Sequence, residues 1–155
     1  MHKFKPTMYR KNIFEIDYKK LKELGITCLV FDLDNTLGLI SEKECPRKTK
    51  KLIKELQEDF LVLISSNNTG DRLKPYLEDL GIGGVAWSMK PSTRGLRKIK
   101  KDYKLNKKEM VMIGDQMVTD IFAGNRFRIM TILVDPLGEK DLKITGLNRK
   151  IESAI

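Results

Sequence analysis

The chain has 155 residues, 41% of them hydrophobic and 33% charged, which indicates a globular domain with a sizeable core and excludes a disordered chain. No apolar stretch reaches the roughly 20 residues that span a bilayer, and the charged N-terminus lacks a signal-peptide core, so we expect a cytoplasmic protein. The net charge of +9 favours anionic partners, namely phosphates, membrane surfaces or nucleic acids. Alternatively, the charge only makes the protein surface soluble.

Five continuous apolar runs predict strands, and the segments between them predict helices. The strands are expected at 26–32, 60–65, 84–87, 110–114 and 129–134. The helices are expected at 46–59, 70–80, 92–103 and 117–126. Continuous rather than alternating apolar runs are typical of parallel strands that are covered on both faces. This order therefore predicts an α/β fold, a doubly wound, mostly parallel five-stranded sheet with helices on both faces.

A single domain is expected over residues 1–155. Its catalytic core covers about 26–136, flanked by an N-terminal arm, 1–25, and a C-terminal tail, 137–155. No internal repeat, low-complexity tract or linker divides the chain. The flanking segments are expected either to pack on the core or to extend from it as arms.

Polar side chains follow four of the predicted strands, at the edge of the sheet where a doubly wound fold binds its ligands. They are Asp32 and Asp34, then Ser65, Ser66, Asn67 and Asn68, then Lys90, and finally Asp115 and Asp120. Any one of these clusters is also typical of a turn. Four of them at one edge indicate a functional site.

The residue types at this edge favour phosphoryl transfer. Converging carboxylates repel one another unless a cation lies between them, and oxygen ligands without His or Cys favour Mg²⁺. The only histidine is His2, near the N-terminus, so the chemistry is expected from Asp, Ser, Lys or a metal. A carboxylate can also be a covalent nucleophile that forms an aspartyl-phosphate. Lys90, the Ser66 hydroxyl and backbone N–H groups would surround the transferred group. One carboxylate of the pair Asp32 and Asp34 would then attack phosphorus and bind the metal, while the other donates or accepts a proton.

Four motifs resemble those of the haloacid dehalogenase (HAD) superfamily of phosphatases. FDLDNTL at 31–37 resembles the first motif, DxDxT, and SSNN at 65–68 resembles the second. MKP at 89–91 resembles the lysine motif, and GDQMVTD at 114–120 resembles GDxxxTD. The resemblance implies a Rossmann-like HAD fold.

The chain is also similar to the YqeG-like subfamily of class IIIA, which includes phosphatidylglycerophosphate phosphatases. The similar segments are SNNTGDR, GDQMVTDIFAGNRFRIMTILVDPL and NRKIE near the end of the chain. Two positions depart from this pattern: the loop GLISEKECP lacks a tryptophan, and Arg128 stands where glycine is common.

The resemblance implies a role for each acidic residue. Asp32 would be the nucleophile and a Mg²⁺ ligand. Asp34 would protonate the leaving alkoxide and later activate water, with its backbone carbonyl on the metal. Asp115 would bind Mg²⁺ directly, and Asp120 would ligate the ion or orient its waters. Alternatively, Asp120 only begins a helix, where acids are favoured.

The resemblance also implies which residues hold the phosphate. Ser66 would bind it rather than Ser65, because the hydroxyl residue of the motif directly precedes Asn. Asn67 and Asn35 would contribute beside it. Lys90 would neutralise charge on the nucleophile and on the phosphoryl group.

The spacing of the motifs leaves no room for a cap domain. Asp32 and Ser66 are 34 positions apart, and Ser66 and Lys90 are 24 apart, which is enough for little more than one helix and one strand. We therefore expect an open site, which suits a phosphate on a lipid or macromolecule. Cap-less relatives also act on small sugar phosphates, so a soluble substrate remains an alternative.

We expect a Mg²⁺-dependent phosphomonoesterase that converts phosphatidylglycerophosphate to phosphatidylglycerol. The alternatives are the same chemistry on a sugar phosphate or nucleotide, and a basic RNA- or ribosome-associated module. Specific nucleic-acid binding is not expected, since no RNA-binding motif is present and aromatic residues are only 7%. Basic residues near the termini either contact the inner face of an anionic membrane or are ordinary solvated charges: Lys3, Lys5, Arg10, Lys11, Lys143, Arg149 and Lys150.

Overall fold

A computed structural model describes residues 4–138, and a six-stranded parallel sheet lies at its centre. The strands are β1 (Met8–Arg10), β2 (Cys28–Phe31), β3 (Leu61–Ser65), β4 (Gly83–Val85), β5 (Met110–Gly114) and β6 (Met130–Val134). Their order across the sheet is β1-β6-β5-β2-β3-β4, and each neighbouring pair is parallel. The predicted doubly wound α/β fold is confirmed. The segment beyond residue 138, with NRKIE and its basic residues, lies outside the described residues, as does Lys3.

Five α-helices connect the strands. They are α1 (Tyr18–Glu23), α2 (Arg47–Leu56), α3 (Gly70–Leu80), α4 (Arg94–Asp102) and α5 (Phe122–Arg126). The Thr69 side chain caps α3 by accepting from the backbone N–H of Arg72, and Gly81, with a φ of 67°, ends that helix. The helix predicted at 117–126 is divided, since a π-helical turn, Met117–Ile121, precedes α5. Among the described residues, no helix is both long and apolar enough to cross a membrane.

The sheet has one strand more than the five predicted. The additional strand, β1, pairs with β6, and Thr7 and Thr131 extend this pairing through a backbone bond of 2.9 Å and through their side chains. Part of the segment predicted as an N-terminal arm therefore forms an edge of the sheet. Its three residues, MYR, carry no apolar run, and pairing with β6 and packing of Met8 and Tyr9 on apolar clusters stabilise them as β-structure.

Apolar layers cover both faces of the sheet. All four residues of β2 are fully buried, and successive side chains point to opposite faces. Leu29 and Phe31 join the larger apolar cluster, whereas Cys28 and Val30 join the smaller one on the other face. This double burial explains why the sequence of the strand is continuously apolar.

The strand predicted at 84–87 is displaced toward its N-terminal side. It covers 83–85, and Trp87 lies beyond it, with 55% of its surface exposed. The residue has a left-handed φ of 52°, which turns the chain out of the strand, so its side chain is not part of the core.

The strand order determines where the connecting loops meet. From β2 the chain proceeds to β3 and β4 on one side, and then returns to β5 and β6 on the other. The switch point therefore lies between β2 and β5, where open α/β sheets bind ligands. The register pairs Phe31 with both Ile64 and Ile113, so the residues after these three strands emerge side by side.

Candidate active site

Three carboxylates meet at the switch point. One oxygen from each of Asp32, Asp115 and Asp120 lies within 4.8 Å of the others, and Asp115 and Asp120 are buried. Asp32 directly follows β2, Asp115 directly follows β5, and Asp120 belongs to the π-helical turn. Gly114 makes this packing possible, because a Cβ at that position would lie 2.3 Å from Oδ2 of Asp120.

The Lys90 ammonium lies against this cluster. Its Nζ is 2.8 Å from Oδ1 of Asp32 and 2.6 Å from Oδ1 of Asp120, and it also donates to the Ser65 carbonyl oxygen at 2.8 Å. Burial lowers the pKa of Lys90, but the carboxylates of Asp120 and Asp32 raise it by more, so the net pKa is above its ordinary value. The lysine is therefore a permanent positive charge at the site.

One lysine does not balance three carboxylates. Burial, followed by the charges of Asp32 and Asp120, raises the pKa of Asp115 to about 9. Burial and the charge of Asp32 raise the pKa of Asp120 to about 6, although Lys90 opposes this. A divalent cation among the three oxygens would remove this repulsion, and an all-oxygen ligand set of this kind suits Mg²⁺. The residues present therefore fit the predicted metal.

Thr36 also belongs to this centre, although the sequence-based prediction omitted it. Its buried hydroxyl donates to Oδ1 of Asp115 at 3.0 Å. This bond links the segment after β2 to the segment after β5 and fixes the orientation of one predicted ligand. The threonine of DxDxT is the signal that could have identified it.

The residues predicted to hold phosphate lie around one cavity of about 350 Å³, whose lining includes Asn35, Ser66, Asn67 and Lys90. The Ser66 hydroxyl accepts from the backbone N–H of Asn68 at 3.0 Å. The Ser65 hydroxyl instead contacts that of buried Ser88 at 2.8 Å, away from the cavity.

The side-chain amide of Asn67 holds the lysine loop in place. Its Nδ2 donates to the Lys90 carbonyl oxygen at 2.9 Å, and its Oδ1 accepts from the Lys90 backbone N–H at 2.7 Å. Both polar atoms of this side chain therefore fix the backbone of the residue that carries the positive charge.

Asp34 lies at the cavity wall but points away from the acidic cluster. Its Oδ1 accepts from Nε of Arg72 at 3.0 Å and lies 2.9 Å from Nη2 of the same guanidinium, and its Oδ2 accepts from Asn68 at 3.0 Å. Arg72 also donates to the carbonyl oxygens of Leu39 and Glu42, at 3.1 and 2.5 Å. One guanidinium thus joins the predicted acid–base residue to the loop that follows β2. Arg72 was not predicted, although it ends the segment SNNTGDR.

A buried acidic cluster beside a lysine, at the switch point of a parallel sheet, defines a class of hydrolases that work on phosphates with a bound metal. Two family models match the chain: residues 29–89 match haloacid dehalogenase-like hydrolases, and residues 88–141 match the HAD-hydrolase-like family. The chain belongs to the haloacid dehalogenase-like hydrolase family and is a phosphatase of that family.

The curated relatives include bacterial, algal and plant proteins. The probable phosphatase YqeG of Bacillus subtilis (strain 168) is 38% identical over 156 residues, covering 98% of this chain and 89% of that protein. The chloroplastic phosphatidylglycerophosphate phosphatase 1 of Chlamydomonas reinhardtii is 28% identical, covering 85% of this chain and 53% of that protein. The Arabidopsis thaliana phosphatidylglycerophosphate phosphatase 1 is 26% identical, covering 88% and 42%. The chain thus spans about half the length of the algal and plant proteins.

Solved structures share the fold at low sequence identity. The cobalt-bound deoxy-D-mannose-octulosonate 8-phosphate phosphatase of Haemophilus influenzae has a TM-score of 0.57 and 17% identity, covering 86% of this chain and 92% of that one. A HAD family enzyme of Bacteroides thetaiotaomicron, solved as a magnesium complex, has a TM-score of 0.59 and 15% identity, covering 77% and 98%. Among the described residues, the connections between the predicted motifs contain no cap domain.

Proposed function

We propose that the protein is a Mg²⁺-dependent phosphomonoesterase that converts phosphatidylglycerophosphate to phosphatidylglycerol through an aspartyl-phosphate intermediate. The observation that carries the chemistry is the contact of Asp32 with Lys90 inside a cluster of three carboxylates. The lipid substrate is supported by the names of the algal and plant relatives, and by the absence of a cap between residues 32 and 90.

The side chains of Asp32, Asp115 and Asp120 would hold the metal ion, together with the backbone carbonyl of Asp34. Fold relatives solved in a cobalt-bound form and as a magnesium complex support a divalent ion for this protein. When bound, the ion supplies positive charge against the carboxylates and the phosphate oxygens.

The chain's own residues perform two displacements at phosphorus. In the first, a carboxylate oxygen of Asp32 forms a bond to phosphorus, the ester P–O bond breaks, and Asp34 gives a proton to the departing glycerol oxygen. In the second, Asp34 takes a proton from water, whose oxygen attacks phosphorus and releases the Asp32 carboxylate and inorganic phosphate. Lys90 and the Ser66 hydroxyl offset charge on the transferred group.

The active-site surface would face the inner leaflet of an anionic membrane. A terminal phosphomonoester on a lipid headgroup could enter an uncapped cavity without leaving the bilayer. The basic residues Arg10 and Lys11, at the carboxyl end of β1, are exposed and would add attraction of about 1 kcal/mol each close to such a surface.

The test is phosphate release from phosphatidylglycerophosphate in mixed micelles with Mg²⁺, beside a panel of soluble sugar phosphates and nucleotides. The matched variant is Asp32→Asn, which keeps the size of the side chain but removes the nucleophile. We expect lipid preference and complete loss of turnover in the variant. Activity confined to soluble esters would refute the lipid, and substantial activity of Asp32→Asn would refute the aspartyl-phosphate.

A further inference from the structure

The loop after β4 inverts the usual distribution of polar and apolar side chains. Trp87 and Met89 are 55% and 58% exposed, whereas the alternating Ser88 and Lys90 are buried. Burial of apolar surface normally stabilises a fold, so this arrangement is the reverse of what core packing requires. Both exposed residues also have left-handed φ angles, 52° and 60°, which bulky side chains rarely adopt.

Hydrogen bonds hold the loop in this orientation. The Trp87 backbone N–H donates to the Asn68 carbonyl oxygen at 3.0 Å, and that of Ser88 donates to the Ser66 carbonyl oxygen at 2.9 Å. The buried Ser88 hydroxyl contacts the Ser65 hydroxyl at 2.8 Å. The outward position of the tryptophan is therefore fixed by the same segment that supplies the phosphate-binding residues.

Five large exposed apolar residues either line the cavity or directly adjoin or bond to residues that line it, and we call them the apolar rim. They are Ile40, Trp87, Met89, Val118 and Leu137, and they account for five of the eight large apolar side chains that are exposed among the described residues.

Each member of the rim is close to the cavity. Ile40 and Trp87 line it, and Met89 and Val118 directly adjoin the lining residues Lys90 and Thr119. The backbone N–H of Leu137 donates to the carbonyl oxygen of Asn35, another lining residue. Four separate connections thus bring exposed apolar groups to one site, which marks an interaction surface.

Several exposed charges beside the rim are basic. The Lys11 carbonyl oxygen accepts from the backbone N–H of Asp135, two residues before Leu137, and Arg126 donates to the Pro91 carbonyl oxygen, two residues after Met89. Lys43 and Arg94 are exposed on the connections that carry Ile40 and Met89. Among the described residues, the acids within four positions of the rim are exposed Glu44, half-buried Glu42 and Asp135, and buried Asp115 and Asp120. Apolar side chains flanked by basic ones complement an anionic lipid surface.

We propose that the apolar rim docks the protein on an anionic phospholipid bilayer, so that the cavity opens directly onto the headgroup layer. The proposal deepens the proposed function and rests on it for the identity of the substrate phosphate. Trp87 would lie at the headgroup level, where tryptophan is favoured, and the basic residues would contact lipid phosphates. The terminal phosphate of a lipid would then enter between the rim side chains.

Trp87 is the chain's single tryptophan and therefore reports on docking by its own fluorescence. The probe is a vesicle of phosphatidylglycerol and phosphatidylcholine, with pure phosphatidylcholine for comparison and no phosphatase substrate in either. We expect the tryptophan emission maximum to shift to shorter wavelength with the anionic vesicles but not with pure phosphatidylcholine. The maximum should return toward its original wavelength as the salt concentration is raised.

Co-sedimentation with the same vesicles compares two variants that are matched in exposure. Trp87→Asn, whose new residue tolerates a left-handed φ, should weaken binding by roughly tenfold or more. Leu24→Asn removes a side chain that is 52% exposed between α1 and β2, at the opposite edge of the sheet, and should bind as the wild type does. Thermal unfolding checks that both variants are folded.

The outcomes separate docking from catalysis. Asp32→Asn should bind vesicles normally although it is inactive, so failure of the proposed chemistry would not affect this measurement. Absence of binding to anionic vesicles, or equal losses in the two apolar variants, would overturn the docking surface even if phosphatase activity is found. A Trp87 shift that follows protein concentration without vesicles would assign the rim to a second copy of the chain and also overturn the proposal.

Discussion

Replacing Asp115 by asparagine should stabilise the metal-free protein. At pH 7 a carboxyl group whose pKa is about 9 instead of 3.8 must remain protonated, which costs about 4 kcal/mol at roughly 1.4 kcal/mol per pH unit. Coulomb's law gives a similar magnitude, since two charges within 4.8 Å of each other repel by about 3 kcal/mol or more at an effective dielectric constant of about 20. Asparagine removes the ionisable group, and with it the cost of keeping it protonated, but keeps an oxygen that can accept from Thr36.

We therefore expect the unfolding free energy of Asp115→Asn without metal to rise by about 2–4 kcal/mol, or roughly 5–15 °C in Tm. The sign also predicts a pH dependence. Because the pKa of Asp115 is raised in the folded state, the folded protein binds more protons, so its stability falls as pH rises from about 4 toward about 9. This fall should be smaller in the variant.

Thermal unfolding followed by circular dichroism, in EDTA and in Mg²⁺, measures both effects. Mg²⁺ should stabilise the wild type, by about 2.7 kcal/mol at a concentration of 100 times Kd, and should not stabilise the variant. Asp59→Asn is the control, because this exposed residue pairs with Lys22 at the surface and should change stability by less than about 0.5 kcal/mol. A variant less stable than the wild type in EDTA, or one that keeps the full response to Mg²⁺, would refute the reasoning.

Two further substitutions test the contacts around the site, and a third tests backbone strain before β6. Arg72→Ala removes a hydrogen-bond donor and a nearby positive charge from Asp34. It should lower kcat by at least about tenfold, more for alkyl than for aryl phosphates, with partial rescue by Arg72→Lys; equal losses for both ester classes would contradict this. Gly114→Ala forces the Asp120 carboxylate to move, so it should lower the unfolding free energy by about 1–3 kcal/mol. It should also reduce the rise in Tm that Mg²⁺ causes. An unchanged rise would argue against the close contact of Gly114 with Asp120. Arg128 has a left-handed φ of 64°, which glycine adopts without the strain that a Cβ causes. In urea unfolding, Arg128→Gly should therefore be up to about 1 kcal/mol more stable than Arg128→Ala, which keeps the Cβ. Equal unfolding midpoints for the two variants would exclude backbone strain at this position.

The departure at Arg128 shows how a sequence pattern and a backbone conformation are connected. The resemblance to the subfamily predicts glycine at this position, and the structure gives Arg128 a φ of 64°, a region that glycine adopts at little cost. The resemblance therefore indicated the residue type that suits this backbone conformation, and the structure supplies the physical reason.

The sequence alone determined the fold class and the composition of the site. The strands that form the interior of the sheet are continuous apolar runs, and β5 covers the residues predicted for it, 110–114. Parallel strands present their carboxyl ends at one edge, so the polar residues that follow them were predictable as neighbours. Asp32, Lys90, Asp115 and Asp120 are brought together for this reason.

Only the tertiary structure decided contacts that have no periodic or local signal. The edge strand β1 is three exposed or half-buried residues that are held by pairing with β6 and by packing of Met8 and Tyr9 on apolar clusters. The pairing of Arg72 with Asp34 joins residues 38 positions apart, and no spacing predicts which donor a carboxylate selects.

Trp87 gives the clearest case of this division. Its apolar character predicted a buried strand position, because burial of apolar surface is the general driving force of folding. Its backbone N–H instead bonds to Asn68, and a left-handed φ turns the side chain toward solvent beside the cavity. Local sequence determines which residues can form an element, but hydrogen bonds between distant loops decide the direction in which their side chains point.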